Sequence, residues 1–180
     1  MLMAATSVPI FDPRGVIVSQ NTDPSARKPK LDGLRLGIID NSKWNASKLL
    51  RGAAAALGGD VKFAEVNYYV KHSFSHDAHP ELIAKVAAEN DIVLTAIGDC
   101  GSCTSACIRD SIALEKLGVP TAAIITTEFV RETEVTLAAL GMTKLPTVVI
   151  EHPVSSITAP EIASRVEVIR SRAQEVWTGA

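Results

Sequence analysis

The feature that most constrains the fold is a regular alternation, from residue 34 onward, between short apolar runs and longer amphipathic segments. The apolar runs have the length of buried strands and cover residues 34–40, 61–69, 91–97, 119–126 and 145–151. The amphipathic segments predict helices over residues 45–57, 80–90, from a cysteine-containing loop to 118, 128–140 and 160–176. Alternating βα units imply right-handed crossovers with helices on both faces of a parallel sheet. The sequence therefore predicts an α/β fold: a three-layer αβα sandwich with a five-stranded parallel sheet, flavodoxin/Rossmann-like, with strand order 2-1-3-4-5.

The first 32 residues differ from the rest of the chain. They contain prolines and polar residues in place of a regular apolar pattern, the prolines being Pro9, Pro13, Pro24 and Pro29. We expect residues 1–32 to form an extended N-terminal arm, with a short strand at 15–18, and residues 33–180 to form the α/β domain. An arm of this kind often packs on a neighbouring subunit, so we expect a homo- or hetero-oligomer.

Composition excludes several classes of function. Hydrophobic residues make up 47% of the chain, charged residues 21%, and the formal net charge is −2. Such a chain has no broad electrostatic attraction for nucleic acid or an anionic membrane, and no apolar run approaches the roughly 20 residues that span a bilayer. The first five residues lack the basic and apolar regions of a signal peptide. We therefore expect a cytoplasmic protein that acts on a small molecule.

The cysteines indicate where the chemistry lies. All three fall between positions 100 and 107, and an odd number in one short segment does not suit a disulfide scaffold. Cys100 and Cys103 stand in the loop Gly98-Asp99-Cys100-Gly101-Ser102-Cys103, between a predicted strand and a predicted helix. A helix N-terminus stabilises a thiolate and makes it more reactive, and a Cys-x-x-Cys pair can close a reversible disulfide. We interpret Cys107 as core packing.

Other polar residues follow the predicted strands at the sheet edge where parallel α/β folds bind ligands. Asn41 and Ser42 either cap a helix or bind substrate, and Lys43 is a candidate for holding a substrate carboxylate. Glu128 and His152 are candidates for moving protons, although a first-turn acid and a loop histidine often have no catalytic part. Ser102, Thr104 and Ser105 are candidate N-caps. A loop with three histidines either gathers zinc ligands, although no standard metal signature fits, or is simply solvated; the histidines are His72, His76 and His79.

Taken together, these segments resemble the UGSC-type (seleno)protein family, related to the selenoprotein B component of glycine, sarcosine and betaine reductases. The matching motif is Cys100-Gly101-Ser102-Cys103, and the similarity extends through residues 36–43 and 113–121, Thr-Glu-Phe at 127–129, and 152–153. The resemblance implies that Cys100 occupies the position of a reactive chalcogen that cleaves a carbon–heteroatom bond, with Cys103 as the resolving or second thiol. The chain departs from the family pattern after the motif, where Ala106 and Arg109 replace an expected aromatic residue and histidine. Arg109 either binds an anion or forms a surface ion pair.

The leading hypothesis is a thiol-dependent enzyme, a dithiol-reductase-like oxidoreductase or a cysteine-dependent lyase, that acts on a small anionic metabolite. Its candidate catalytic residues are Cys100, Cys103, His152 and Glu128. Its candidate substrate-binding residues are Asn41, Ser42, Lys43, Asp99, Gly101, Ser102 and Thr104. One alternative is a metal or iron–sulfur lyase or hydratase that uses Cys100, Cys103 and Cys107 as ligands. Another is a subunit of a hetero-oligomeric enzyme. The sequence predicts no cofactor firmly, and a metal or iron–sulfur cluster at the cysteine loop stays an open alternative.

Overall fold

A computed structural model describes residues 19–180. It contains one parallel sheet with the order β2-β1-β3-β4-β5. The strands are β1 Arg35–Asp40, β2 Glu65–Val70, β3 Ile92–Gly98, β4 Thr121–Thr126 and β5 Thr147–Ile150. The helices are α1 Ala46–Asp60, α2 Pro80–Glu89, α3 Gly101–Lys116, α4 Val130–Leu140 and α5 Ala159–Thr178, with a 3₁₀ turn at Thr127–Phe129. The predicted α/β fold and strand order are confirmed.

The two faces of the sheet carry different helices. Helices α1 and α5 pack together on one face, while α2, α3 and α4 form neighbouring pairs that cover the other. Every residue of the central strands β3 and β4 is buried, as expected for parallel strands covered on both faces. Since β1 and β3 are adjacent parallel strands, their carboxyl ends are neighbours, and the loops that follow them share one edge of the sheet.

Local sequence explains where several helices begin and end. Thr158 and Glu161 form a capping box at the start of α5, with the Thr158 backbone N–H donating to the Glu161 carboxylate at 2.8 Å. Pro80 occupies the first turn of α2. Gly141 ends α4 with a φ of 73°, a left-handed conformation that glycine adopts without strain.

Residues 19–32 contain no helix or strand, and several of them contact the α/β domain. The Ser25 hydroxyl and the Arg27 guanidinium donate to the two oxygens of the buried Glu115 carboxylate on α3, at 2.6 and 2.9 Å. The Lys28 backbone N–H donates to the Trp177 carbonyl on α5 at 2.8 Å. The strand expected at 15–18 lies outside the described residues, and the division into an arm and a domain stays a prediction.

Within residues 19–180, no helix combines the length and the apolar character needed to cross a membrane.

Candidate active site

The loops after β1 and β3 meet at the carboxyl edge of the sheet. Asn41, directly after β1, donates from its backbone N–H to the Ala96 carbonyl and from its side-chain Nδ2 to the Ile97 carbonyl, both at 3.0 Å. Asn41 is buried, so its amide joins the two loops and is not free to bind a substrate. The neighbouring Ser42 is exposed, but its hydroxyl donates to the Lys71 carbonyl at 2.6 Å.

The cysteine loop leads from β3 into α3, as expected, but a cysteine caps the helix in place of a hydroxyl residue. Cys100 is the N-cap: its backbone is extended, and its Sγ accepts the Cys103 backbone N–H at 3.3 Å. The prediction that Ser102, Thr104 or Ser105 caps the helix is wrong, because the helix already starts at Gly101 and all three lie inside it. A backbone N–H group at the N-terminus of α3 therefore donates to the Cys100 sulfur.

The sulfur atoms of Cys100 and Cys103 are bonded to each other, and they differ in accessibility. Cys100 is partly exposed, while Cys103 is completely buried. Gly101 and Ser102 are exposed beside Cys100, and the Ser102 hydroxyl lies 3.6 Å from the Cys100 Sγ. Cys100 is thus the sulfur of this pair that a molecule in solution reaches.

A buried charge pair lies against the inner sulfur. The Lys43 ammonium forms an ion pair with Asp99, and its Nζ is 3.3 Å from the Cys103 Sγ. Asp99 is only 7% exposed, and its Oδ2 accepts a hydrogen bond from the Ser155 hydroxyl at 3.1 Å. Lys43, predicted to hold a substrate carboxylate, therefore contacts a carboxylate and a sulfur of the chain itself.

Ser155 is the member of this cluster that sequence reasoning missed. It lies in the loop between β5 and α5, which Asn45 of the β1–α1 loop holds through a 3.0 Å hydrogen bond from Nδ2 to the Val154 carbonyl. Ser155 belongs to no motif, and its contact depends on a loop that returns from the far edge of the sheet. No local sequence signal could have identified it.

His152 lies close to the end of β4. Thr126 Oγ1 is 3.3 Å from the Gly98 carbonyl oxygen and 3.1 Å from His152 Nδ1. With the single hydroxyl hydrogen donated to the carbonyl, the tautomer compatible with both contacts carries its hydrogen on Nδ1, which then donates to Thr126. This tautomer leaves Nε2 without a hydrogen, as a proton acceptor requires.

Two other predicted site residues make no side-chain hydrogen bond to Cys100 or Cys103. Glu128 is exposed in the 3₁₀ turn, and its carboxylate makes no hydrogen bond to the described residues. Thr104 is fully buried, and a Cβ placed on Gly98 would lie 2.9 Å from its Oγ1. Gly98 thus lets β3 and α3 approach closely, and Thr104 forms part of that packing instead of a substrate-binding surface.

The proposed metal ligands require a correction. Among residues 19–180, one group of ligand atoms lies within 4.8 Å of one another, and it consists of Asp99, Cys100 and Cys103. Cys107 is outside this group because its side chain turns toward β3, where its Sγ is 3.8 Å from the Thr95 hydroxyl. The Asp99 group is compact enough to reach one ion. However, this group does not fit a metal ion in this arrangement. The sulfur atoms of Cys100 and Cys103 are bonded to each other, and the Lys43 ammonium already contacts the Asp99 carboxylate and the Cys103 sulfur.

The histidine loop forms a separate cavity. Its lining includes His72, His76 and His79 together with the buried Lys71, and its volume is about 540 Å³. These histidines do not come together as a metal-binding group within the described part of the chain. Arg109 is exposed and lies 3.6 Å from Asp77, which makes it a surface ion pair.

Cys107 will behave differently from the other two cysteines. It is buried, and burial raises the pKa of its thiol to about 12. We expect iodoacetamide to leave Cys107 unmodified in the folded, reduced protein at mild alkaline pH and to modify it fully in denaturant. Peptide mapping by mass spectrometry measures both states, and native labelling of Cys107 at the rate of a free peptide thiol would contradict its burial.

Comparison with known proteins supports the resemblance noted in the sequence. The UGSC family model matches residues 9–179, nearly the whole chain. No curated protein matches the chain. Similar solved structures include the flavodoxin-like domain of a Synechococcus sp. protein, with 10% identity, a TM-score of 0.42, and coverage of 81% of this chain and 99% of that one. Another is a diflavin flavoprotein A3 from Nostoc sp., with 10% identity, a TM-score of 0.40, and coverage of 83% and 95%.

Proposed function

The chain belongs to the UGSC family, and we propose that it is a thiol-dependent enzyme in which Cys100 attacks a small anionic metabolite and Cys103 acts as the resolving thiol. The observation that carries this proposal is the pairing of a reachable sulfur with a buried one at the N-terminus of α3. The helix N-terminus favours the Cys100 thiolate, because the Cys103 backbone N–H donates to its sulfur.

The proposed reaction follows the one that the resemblance to selenoprotein B implies, with sulfur in place of selenium. The Cys100 thiolate forms a carbon–sulfur bond and displaces a heteroatom group, which leaves with its electron pair and takes a proton. The Cys103 thiolate then attacks the Cys100 sulfur. The disulfide forms, the carbon–sulfur bond breaks, and the carbon keeps the electron pair and takes a proton. The substrate gains two electrons, and an external dithiol returns the pair to its reduced form.

The site offers groups for substrate binding and for proton transfer. The first residues of a helix have backbone N–H groups without partners in the helix, and these favour anions. Gly101 and Ser102 occupy this position and are exposed beside the reactive sulfur. His152, with Nδ1 engaged by Thr126, is our candidate for receiving or supplying the proton through Nε2. A lyase would use the same Cys100 attack without net reduction and would retain activity in the absence of a reductant.

The reactivity of Cys100 tests this proposal. We expect substoichiometric iodoacetamide at neutral pH to modify Cys100 first in the fully reduced protein, with little modification of Cys103 or Cys107. Cys100→Ser should remove this fast labelling, and Cys107→Ser is the matched control that should leave it unchanged. Mass spectrometry of the native protein and of its peptides measures both.

Two outcomes would contradict the proposal. One is equal and slow labelling of all three cysteines. The other is one equivalent of bound metal in the native mass that protects the thiols until a chelator removes it, which would favour the metal or iron–sulfur alternative.

The cellular setting is part of the same proposal. We place the protein in the cytoplasm, where a reducing thiol pool can regenerate the dithiol, and we expect it to work as an oligomer. If Cys100→Ser left every activity of an assembled complex intact, the chain would be a structural subunit instead.

A further inference from the structure

The proposed reaction assigns no function to the ion pair beside Cys103. Lys43 lies on the loop after β1 and Asp99 on the loop after β3, and both side chains are largely buried, with exposed fractions of 16% and 3%. Burying two opposite charges costs free energy in desolvation, and their attraction alone often does not offset it. A buried pair of this kind, placed against a redox-active sulfur, suggests a role beyond stability.

We propose that the Lys43 ammonium, fixed by Asp99, is the counter-ion of the Cys103 thiolate and makes Cys103 the sulfur that leaves when a thiol opens the disulfide. The Lys43 Nζ is 3.3 Å from the Cys103 Sγ, within reach of a charge-assisted hydrogen bond. Lys43 is therefore a positioning residue for the sulfur pair and not the holder of the substrate. This inference deepens the proposed function and rests on it.

Asp99 holds the ammonium but also opposes the thiolate. Its carboxylate oxygen lies within 4.8 Å of both sulfur atoms, so its negative charge repels negative charge on either of them. The Ser155 hydroxyl donates to Asp99 Oδ2, while Lys43 pairs with Oδ1, and the two contacts fix the orientation of the carboxylate. Lys43 thus has two effects of the same sign, because it attracts charge to Cys103 and offsets the charge of Asp99.

The geometry assigns a direction to reductive opening. A thiolate from solution attacks the Cys100 sulfur, because Cys103 is completely buried. A new disulfide forms between Cys100 and the attacking thiol, the Cys100–Cys103 bond breaks, and its electron pair stays on Cys103 beside Lys43. The second thiol of a dithiol reductant then attacks the mixed disulfide, closes its own disulfide and releases Cys100. A stabilised leaving thiolate speeds the first of these steps.

Reduction by dithiothreitol at neutral pH tests the inference without any assay of enzyme activity. Lys43→Met should slow opening of the disulfide by about tenfold or more. The leaving Cys103 thiolate loses its hydrogen bond to a charged group, and the loss of such a bond changes a rate by about this factor. Asp99→Asn keeps the shape of the side chain and should accelerate opening by about threefold or more, because the repelling charge is gone. Lys48→Met, which removes an exposed lysine from the helix α1 that follows the Lys43 loop, should leave the rate within about twofold.

The opposite signs of the two variants separate this role from structural damage. Damage that exposed the disulfide would accelerate opening in both Lys43→Met and Asp99→Asn. Shifts in the same direction, or no change in Lys43→Met, would overturn the inference. Glutathione supplies a second readout: its mixed disulfide should map to Cys100, and an adduct on Cys103 would reverse the proposed direction.

Failure here and failure of the proposed function can be told apart. If Cys100 labels fast but Lys43→Met behaves like the unsubstituted protein, the role of Lys43 alone is rejected. If Cys100 does not label selectively, the proposed function is rejected whatever the rates of disulfide opening.

Discussion

Replacing Trp177 with alanine will lower the free energy of unfolding by about 3–5 kcal/mol, the range for loss of a buried large aromatic side chain. Trp177 lies near the end of α5, is completely buried, and packs in the core between the sheet and helices α1 and α5. Its Nε1 donates to the Val93 carbonyl at 3.0 Å, so truncation also leaves a buried carbonyl without this partner.

The other tryptophan is the matched control. Trp44 is 72% exposed, and Trp44→Ala should change the free energy of unfolding by less than about 0.5 kcal/mol. Denaturant unfolding followed by circular dichroism measures both variants. Equal losses in the two would show that the last turns of α5 do not belong to the core.

Replacing Lys71 with methionine will lower the free energy of unfolding by about 3–5 kcal/mol at neutral pH, because it leaves a buried carboxylate without its cation. Lys71 and Asp110 form an ion pair in which both side chains are at most 3% exposed. The Ala78 backbone N–H also donates to Asp110, at 2.7 Å. Burial raises the pKa of the Asp110 carboxyl, and Lys71 opposes that rise.

The loss should depend on pH with a defined sign. Without Lys71, the pKa of Asp110 in the folded protein rises further above its unfolded value. The folded variant then binds a proton that the unfolded chain has released, so its stability falls as the pH rises through this interval. The deficit relative to the unsubstituted protein is therefore smaller in acid than at neutral pH.

Two further variants make the test specific. Lys71→Met combined with Asp110→Asn should recover part of the loss, because no unpaired charge remains. Arg109→Met breaks the exposed pair with Asp77, whose side chains are 46% and 53% exposed, and should cost less than about 1 kcal/mol. A double variant no more stable than Lys71→Met would show that the loss arises from packing instead of charge.

The fold could be predicted because its main determinant is the periodicity of apolar residues, which is local in sequence. The predicted ends of helices and strands were less accurate where apolar residues are buried outside a helix or strand. A strand was expected from Val61, which is buried, yet β2 begins at Glu65, because Val61 packs in the core just after α1 ends. Similarly, α1 continues through two glycines to Asp60, whose carboxylate pairs with Arg170 of α5. Tertiary contacts decided both boundaries.

The candidate site was predictable to the extent that it is a motif. Cys100 and Cys103 are three residues apart, and their position between a strand and a helix follows from the strand prediction. The environment of these sulfurs was not predictable, because Lys43 and Ser155 reach Cys103 and Asp99 from loops more than 50 residues away. A single sequence shows which charges a chain carries, but only the folded chain shows which of them meet.

The contacts of Glu115 bear on where this protein can be shortened. Its carboxylate is buried beneath α3 and accepts hydrogen bonds from Ser25, from Arg27 and from the Thr121 backbone N–H. A chain begun at Gly33, where the regular alternation starts, would remove the cation and the hydroxyl together and keep the anion in place. The segment before Gly33 therefore supplies the cation that pairs with the buried Glu115 carboxylate. A truncation that removes only residues outside the regular helices and strands would leave that carboxylate buried without a cation.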